Sequence, residues 1–248
     1  MKCRLRAGVV LAALVAANSA FALPAAGDLA FVALNADEDG FAVATFVDLA
    51  AGDQIHFTDN EWNGTAVGAG GDFTSGEGVL MWTVQADLSA GTVVRFGSVN
   101  SASAVWASEG SLTRSGSFLL ATSGDSIMAY LDQDGGPLPL AAIGYGSGFD
   151  ADLAGAGMDG LAVSLSGRVD YAEYVGPRSG AADMTDYALQ VADTDQWLVR
   201  KETVETNTVP NLGAFAVTAP VPEPETYAMM LAGLGMLGAV ARRRAAVR

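Results

Sequence analysis

The sequence contains one cysteine and one histidine among its 248 residues. The cysteine, Cys3, stands at the very start, so the rest of the chain has no thiol for a disulfide, a cysteine-type zinc site or a cysteine nucleophile. The histidine, His56, would have to serve a catalytic triad or a metal site without a second imidazole, which argues against both. We expect His56 to be an ordinary exposed strand residue, and stability to come from packing or bound ions.

Basic residues are also scarce, because 13 Lys and Arg stand against 28 Asp and Glu, for a net charge of −15. Between Leu23 and Pro220 there are 6 basic and 26 acidic residues. Such a body gains nothing from releasing the counterions of a polyanion, which excludes ordinary nucleic-acid binding. No Walker, dinucleotide-binding or G-x-S-x-G pattern is present. We therefore expect no enzymatic activity and no cofactor, calcium excepted as described below.

The first 22 residues contain the three zones of a secretion signal. A basic start precedes an apolar run, and Ala20-Phe21-Ala22 supplies the small residues that signal peptidase accepts. We expect residues 1–22 to form a signal helix, with Ala20 and Ala22 at the cleavage site. A buried N-terminal helix is the alternative.

A second apolar segment lies near the other end. Val221-Pro222-Glu223-Pro224 precedes an uncharged, mostly apolar run at 227–241, and Arg242, Arg243 and Arg244 follow it. As a helix the run would be about 22 Å long, which is short of the roughly 30 Å hydrocarbon core. It predicts a marginal transmembrane helix whose arginines stop in the cytoplasm and leave the body on the exported side. A plain tail anchor is the other interpretation.

These parts in this order resemble the PEP-CTERM sorting signal of Gram-negative bacteria that produce exopolysaccharide. The resemblance covers 221–246 and implies that Pro222, Glu223 and Pro224 are recognised by a membrane exosortase. It further implies transient insertion into the inner membrane, cleavage near the tripeptide, and release or transfer of the body to the outer surface or extracellular matrix. The two prolines keep the tripeptide extended, as a protease-like cleft requires.

Between these ends, short alternating or apolar runs separated by Gly, Asp, Asn and Ser predict one domain of β-strands over 24–218. The predicted strands are 29–34, 41–49, 54–58, 79–84, 92–96, 118–122, 126–131, 140–145 and 161–165, with a last one at 212–217. One helix is predicted at 181–192 and a long surface loop at 144–160. This pattern predicts an all-β fold, a two-sheet β-sandwich with one short helix.

The pattern D-L-x-A-G-x-x-[IV]-x-F occurs twice, at 48–57 and 87–96. Each copy follows a strand-like run, so it predicts a strand, an Ala-Gly turn and a second strand. Gly52 and Gly91 are expected at positive φ. Two copies do not make a solenoid, and we interpret them as equivalent strand pairs within one sandwich.

Several short blocks resemble bacterial lamin-tail-like surface domains. They are 27–37, 41–48, 55–62, 123–130 and Gln196-Trp197. The resemblance spans about 27–217 and implies an immunoglobulin-like β-sandwich, a fold used chiefly in adhesion or assembly. A fold does not by itself give a function.

Asn35, Asp37 and Asp39 offer oxygen ligands at alternate positions, and Gly40 follows them, as at the start of a calcium loop. The twelfth position holds Phe46 in place of the usual glutamate. Two interpretations therefore stay open, a calcium site and an acidic hairpin turn.

Three functional hypotheses follow. The processing segments favour an exported, non-enzymatic surface or matrix protein, with signal peptidase, exosortase and exopolysaccharide as its partners. A calcium- or glycan-binding adhesive module, which shares this architecture and differs in having a ligand, is the second. A matrix polysaccharide hydrolase is the third, since the 26 acidic residues offer many carboxylate pairs and the tryptophans Trp62, Trp82, Trp106 and Trp197 could stack on sugar rings. Trp82 is in phase with Leu80 and Val84 and is expected in the core.

Overall fold

The computed structural model of the chain describes residues 23–147, 149, 153–202, 204–218 and 233. The signal helix predicted at 1–22 lies outside the described residues. The sorting segment predicted at 221–246 and its helix at 227–241 do so as well, except for Gly233.

The described residues form twelve strands and one short helix. The strands are β1 (Leu29–Asn35), β2 (Gly40–Thr45), β3 (Gln54–Thr58), β4 (Gly78–Thr83), β5 (Val93–Gly97), β6 (Trp106–Ala107), β7 (Ser111–Gly116), β8 (Asp125–Leu131), β9 (Leu138–Gly146), β10 (Val163–Ser166), β11 (Tyr171–Tyr174) and β12 (Trp197–Arg200). Helix α1 is Thr185–Ala192, and a 3-10 turn follows at Thr194–Gln196. One sheet has the order β12-β11-β1-β2-β5-β6 and the other the order β10-β9-β8-β3-β4-β7.

The two sheets pack face to face on an aromatic core. The ring of Phe57 on β3 contacts Phe41 of β2 and Phe96 of β5, with centroids 5.0 and 4.9 Å apart. Trp82 on β4 meets Phe96 at 5.4 Å. These side chains are buried, and burial of such large apolar surfaces is the main force that holds two sheets together. The predicted all-β, two-sheet sandwich with one short helix is confirmed.

The alternating pattern of β4 shows why the sequence forms a half-buried strand there. Leu80 and Trp82 point into the core, while Val79, Met81 and Thr83 are partly exposed on the other side. Val84, just after the strand, is also buried, in the same alternation as Leu80 and Trp82. The expected core position of Trp82 is confirmed.

Helix α1 is shorter than the range 181–192 that the sequence predicts. Tyr187, Ala188 and Val191 are buried on its inner face, as the helical spacing requires. The helix begins only at Thr185 because Ala181 is engaged elsewhere: its N–H donates to the Tyr187 hydroxyl, and its carbonyl accepts from the N–H of Thr218.

The strand predicted at 118–122 is wrong. The backbone N–H groups of Leu119, Leu120 and Ala121 donate to side-chain carboxylates at 2.9, 3.0 and 2.8 Å, so no neighbouring strand receives them. The strand predicted at 212–217 is wrong too, since the range forms a single bridge, between Ala216 and Ser179.

The glycine-rich range 144–160 differs from the expected surface loop. Strand β9 extends to Gly146, and Phe149, Ala156 and Met158 are buried with Trp62 in a second apolar cluster. The cluster also contains Met128 of β8, so this range covers part of the outer face of the second sheet.

The two repeated segments form the predicted strand, turn and strand, and the φ angles of Gly52 and Gly91 are +100° and +91°. In each unit the chain changes sheet at the turn, from β2 to β3 and from β4 to β5. The turns meet where Leu49 and Leu88 form an antiparallel bridge. We call this end of the sandwich the corner end. The opposite end, where β3 and β5 finish, is the pocket end.

Candidate functional site

A surface pocket of about 410 Å³ lies at the pocket end of the sandwich. Four carboxylates line it together with small polar residues and two aromatic rings. The lining is Asp59, Glu61, Glu77, Ala121, Ser123, Gly124, Asp125, Ser126, Tyr145, Ser147 and Phe149. The acidic residues come from the end of β3, the approach to β4 and the start of β8, which the sheet order brings together.

Two of the four carboxylates serve as acceptors for loop backbone. Asp59 follows β3 and accepts from the N–H groups of Gly78 and Leu119, at 2.8 and 2.9 Å. Asp125 opens β8 and accepts from the N–H groups of Ala121 and Ser126, both at 2.8 Å. These bonds join the first residues of β4 and β8 to the loop at 119–121, so the carboxylates fix the shape of the pocket wall.

The crowding of acidic groups changes their proton affinities. Glu77 is exposed, but partial loss of solvent around its carboxyl group in the pocket, with the negative charges of Asp59, Glu61 and Asp125, raises its pKa to about 7. Burial also raises the pKa of Asp125 to about 6, against the opposing effect of its backbone hydrogen bonds. Burial is also the main cause that raises the pKa of Asp59. The pocket therefore takes up protons near neutral pH, where isolated carboxyl groups are ionised.

Of the predicted calcium residues, Asn35 and Asp37 bond to the backbone of Glu205, whereas Asp39 bonds to Leu120 and Asn100. Asn35 donates from Nδ2 to the carbonyl of Glu205 at 2.8 Å, and an Asp37 oxygen accepts from the N–H of Glu205 at 2.8 Å. Asp39 accepts from the N–H of Leu120 at 3.0 Å and from the Asn100 amide at 2.6 Å. Within the described part of the chain, no cluster of three or more His, Cys, Asp and Glu has the geometry to hold a metal ion. The acidic hairpin turn is favoured, and calcium binding stays a prediction.

His56 lies on β3 as expected, but it is half-buried rather than exposed. Its ring stacks on Tyr130 with centroids 5.2 Å apart. Its Nδ1 is buried without a hydrogen-bond partner, and burial lowers the pKa of the imidazole. The lowered pKa favours the neutral form of the imidazole.

The four tryptophans divide into two kinds. Trp62, Trp82 and Trp197 are buried, and each indole N–H donates to a backbone carbonyl at 2.7 Å. Trp106 is 36 % exposed. Its ring lies directly over Gly97, where any side chain would overlap it, and the Arg95 guanidinium is 5.3 Å from the ring centroid.

The last described stretch of the body is held at the corner end. Phe215 is buried, and its ring contacts Tyr187 and Phe46 at 5.0 and 5.4 Å. Its N–H donates to the carbonyl of Gly91 at 2.8 Å, and the N–H of Thr218 donates to the carbonyl of Ala181 at 2.9 Å. We call the surface formed by residues 178–183 and 211–218 the exit face, since the chain leaves the body there.

The chain is thus a folded β-sandwich body whose backbone is hydrogen-bonded up to Thr218, and a Pro-Glu-Pro sequence begins four residues further on. A family model described as PEP-CTERM protein-sorting motif matches residues 220–244. The sorting motif recognised in the sequence is thereby confirmed. It implies processing by an exosortase, with export and membrane-associated sorting.

The matched range includes Pro222, Glu223 and Pro224, whose recognition by the exosortase stays a prediction, and the arginines at 242–244. These residues lie outside the described part of the chain, as do Ala20 and Ala22 of the signal peptide, which stays a prediction. None of the helices in the described residues is long and apolar enough to span a bilayer. Searches of curated proteins and of solved structures found no match. The lamin-tail-like resemblance also stays a prediction.

The sequence analysis did not identify the pocket or the role of Phe215. The acidic residues of the pocket come from segments far apart in the chain, so no local spacing marks them. Phe215 had a signal in the alternation of 212–217, which predicts a strand but not a ring packed against Phe46 and Tyr187.

Proposed function

We propose that the protein is an exported, non-enzymatic component of the cell surface or extracellular matrix that an exosortase processes and that associates with exopolysaccharide. The supporting observation is the sorting motif at 220–244, which begins two residues after Thr218. In this proposal signal peptidase removes residues 1–22. The apolar run at 227–241 then holds the chain in the inner membrane until cleavage near Pro222–Pro224 frees the body.

The chemistry of the described residues supports a non-enzymatic role. The one imidazole, that of His56, is stacked on Tyr130 and has its pKa lowered by burial. In the pocket, Asp59 and Asp125 each accept two backbone N–H groups. These hydrogen bonds give Asp59 and Asp125 a structural role in holding the backbone of the pocket wall.

Mass spectrometry of the protein from cells with and without the exosortase tests the proposal. We expect the surface or secreted form to start at Leu23 and to end near the Pro-Glu-Pro sequence. Without the exosortase, the chain should keep its C-terminus through Arg248 and remain with the membrane. A surface form that still carries Arg248 in the presence of the enzyme would contradict the sorting mechanism. Failure of the mature protein to co-fractionate with exopolysaccharide would contradict the matrix role.

A second candidate function, glycan binding, is favoured by Trp106. Its exposed indole lies over Gly97 with the Arg95–Glu38 ion pair beside it, the pair being 2.6 Å apart. An aromatic plane next to charged hydrogen-bonding groups suits the apolar face and hydroxyl groups of a sugar ring. Affinity electrophoresis in purified exopolysaccharide tests this function. Trp106→Ala should abolish the retardation, whereas Leu189→Ala, which shortens an exposed side chain on α1, should keep it.

A further inference from the structure

Covalent geometry limits how far the Pro-Glu-Pro sequence can lie from the body. The Thr218 N–H is bonded to the Ala181 carbonyl, and Pro222 is four residues further on. The Cα atoms of Thr218 and Pro222 are therefore at most about 14 Å apart, whatever path the chain takes between them. A domain of about 200 residues has a diameter of about 40 Å. The tripeptide thus stays close to the exit face compared with the size of the body.

An enzyme that binds the tripeptide in an extended cleft must therefore bring the rim of that cleft to the exit face. Peeling off the chain before residue 218 would avoid this contact. It would, however, expose the ring of Phe215 and break the hydrogen bonds to Gly91 and Ala181, together with the bond from the Tyr187 hydroxyl to the Ala216 carbonyl at 2.8 Å. Burial of a phenylalanine ring with satisfied backbone groups opposes such release.

We propose that the exit face is the surface that the folded body presents to the exosortase during processing. This inference rests on the proposed function, in which an exosortase cleaves this chain. It adds that the enzyme contacts the folded body where the motif begins, rather than the motif alone.

The charges of the exit face indicate which kind of surface it fits. Asp183 is exposed on this face, and Asp186 is exposed in the first turn of α1. The Arg178 guanidinium is turned inward, 4.8 Å from the Phe215 ring centroid, and donates to the carbonyl of Gly213 at 2.8 Å. Anionic lipid headgroups would be repelled by such a face. The partner that fits is the protein surface beside the exosortase cleft, with neutral or basic groups, rather than the bare bilayer.

Single-cysteine labelling of the full chain tests the proposal. In a Cys3→Ser background, Ala214→Cys places a thiol on the exit face, and Ala102→Cys places one in the exposed loop after β5, at the pocket end. Each variant carries a bulky polyethylene glycol maleimide and is incubated with membranes that contain the exosortase. Mass spectrometry then measures the rate at which the C-terminal segment is lost. The label at position 214 should slow cleavage about tenfold or more, because it clashes with the docked enzyme, and the label at position 102 should not.

A second variant separates docking from misfolding. A flexible Gly-Ser insertion of about a dozen residues after Thr218 adds roughly 20 Å of span. It should restore cleavage of the chain labelled at position 214. Equal rates for both labels, or no rescue by the insertion, would overturn the docking proposal. If the unlabelled chain is not cleaved at all, the proposed function itself fails, and the docking proposal fails with it.

Discussion

The carboxylates of Asp48 and Asp87 each accept a hydrogen bond from the turn of the other repeated segment. An oxygen of Asp48 accepts from the N–H of Ala90 at 2.8 Å, and an oxygen of Asp87 accepts from the N–H of Ala51 at 2.9 Å. The two aspartates are equivalent in the repeated pattern, 39 residues apart. Leu49 and Leu88 exchange backbone hydrogen bonds at 2.9 Å in both directions between them. The repeat is thus a local two-fold arrangement in which each turn caps the other.

This symmetry predicts equal costs for equivalent mutations. Asp48→Ala and Asp87→Ala should each lower the free energy of unfolding by about 1 kcal/mol, since each removes one hydrogen bond that a backbone N–H donates to an exposed carboxylate. Urea unfolding of the purified protein measures both values. Asp134→Ala, in the exposed turn after β8, is the matched control and should change stability by less than about 0.5 kcal/mol. Clearly unequal costs for the two variants would contradict the two-fold description.

The two units differ at their glycines, so Gly52→Ala and Gly91→Ala are predicted to have different effects on stability. Both have positive φ, but the space beside Gly52 is open, whereas a Cβ on Gly91 would overlap the carbonyl oxygen of Phe215. Gly52→Ala should therefore cost only the backbone strain, about 1–2 kcal/mol. Gly91→Ala should cost more, because it also displaces the buried Phe215. Thermal unfolding of the two variants compares them directly, and similar melting temperatures would show that Phe215 is not seated against Gly91.

Local patterns in the sequence predicted the strands well where side chains alone decide the structure. The range 54–58 was predicted with the bounds of β3, and 126–131 misses only the first residue of β8. The range 118–122 has a similar apolar pattern and forms no strand, because Asp39, Asp59 and Asp125 take its N–H groups. That competition depends on tertiary contacts across up to 81 residues, which a local pattern does not contain.

The same limit of local sequence patterns decided which candidate sites could be predicted. The sorting segment was found from the sequence because its parts are consecutive in the chain, and their order is enough to identify the motif. The pocket was missed because Asp59, Glu77 and Asp125 meet only after the second sheet has formed. Strand β7 was missed for a related reason. Its sequence, with Ser111, Thr113 and Arg114, has little apolar alternation, and its pairing with β4 holds it in the sheet.

The raised proton affinity of the pocket predicts a pH dependence of stability. With its pKa at about 7, Glu77 holds a proton in the folded body between pH 4.5 and 7, where the same group in the unfolded chain is ionised. The unfolded state thus binds fewer protons, so the free energy of unfolding falls as the pH rises through this window and levels off above it. We expect Glu77→Gln to make this fall shallower between pH 5 and 7.5.

The matched control for that measurement is Glu109→Gln, which makes the same chemical change at one exposed glutamate outside the pocket. His56 contributes the opposite slope, because its lowered pKa makes the folded body bind fewer protons than the unfolded chain below about pH 6.5. That contribution is common to all three proteins and cancels in the comparison. A wild-type slope that Glu77→Gln leaves unchanged would show that the pocket does not hold the proton.

The hydrogen bonds of Asp37 and Asp39 predict the outcome of a calcium titration. Extracellular calcium modules bind with dissociation constants of about 0.1–1 mM, so a hundredfold excess over the lower value would stabilise a true site by about 2.7 kcal/mol. For a body of this size that is a rise of roughly 5–10 °C in melting temperature. Because the carboxylates already accept from Glu205, Leu120 and Asn100 in different directions, we expect calcium to leave the melting temperature unchanged.

Asp39→Ala should lower the melting temperature even without calcium, since the buried N–H of Leu120 loses its hydrogen-bond acceptor. A rise on adding calcium that Asp37→Asn abolishes would instead establish the calcium loop and overturn the hairpin-turn interpretation.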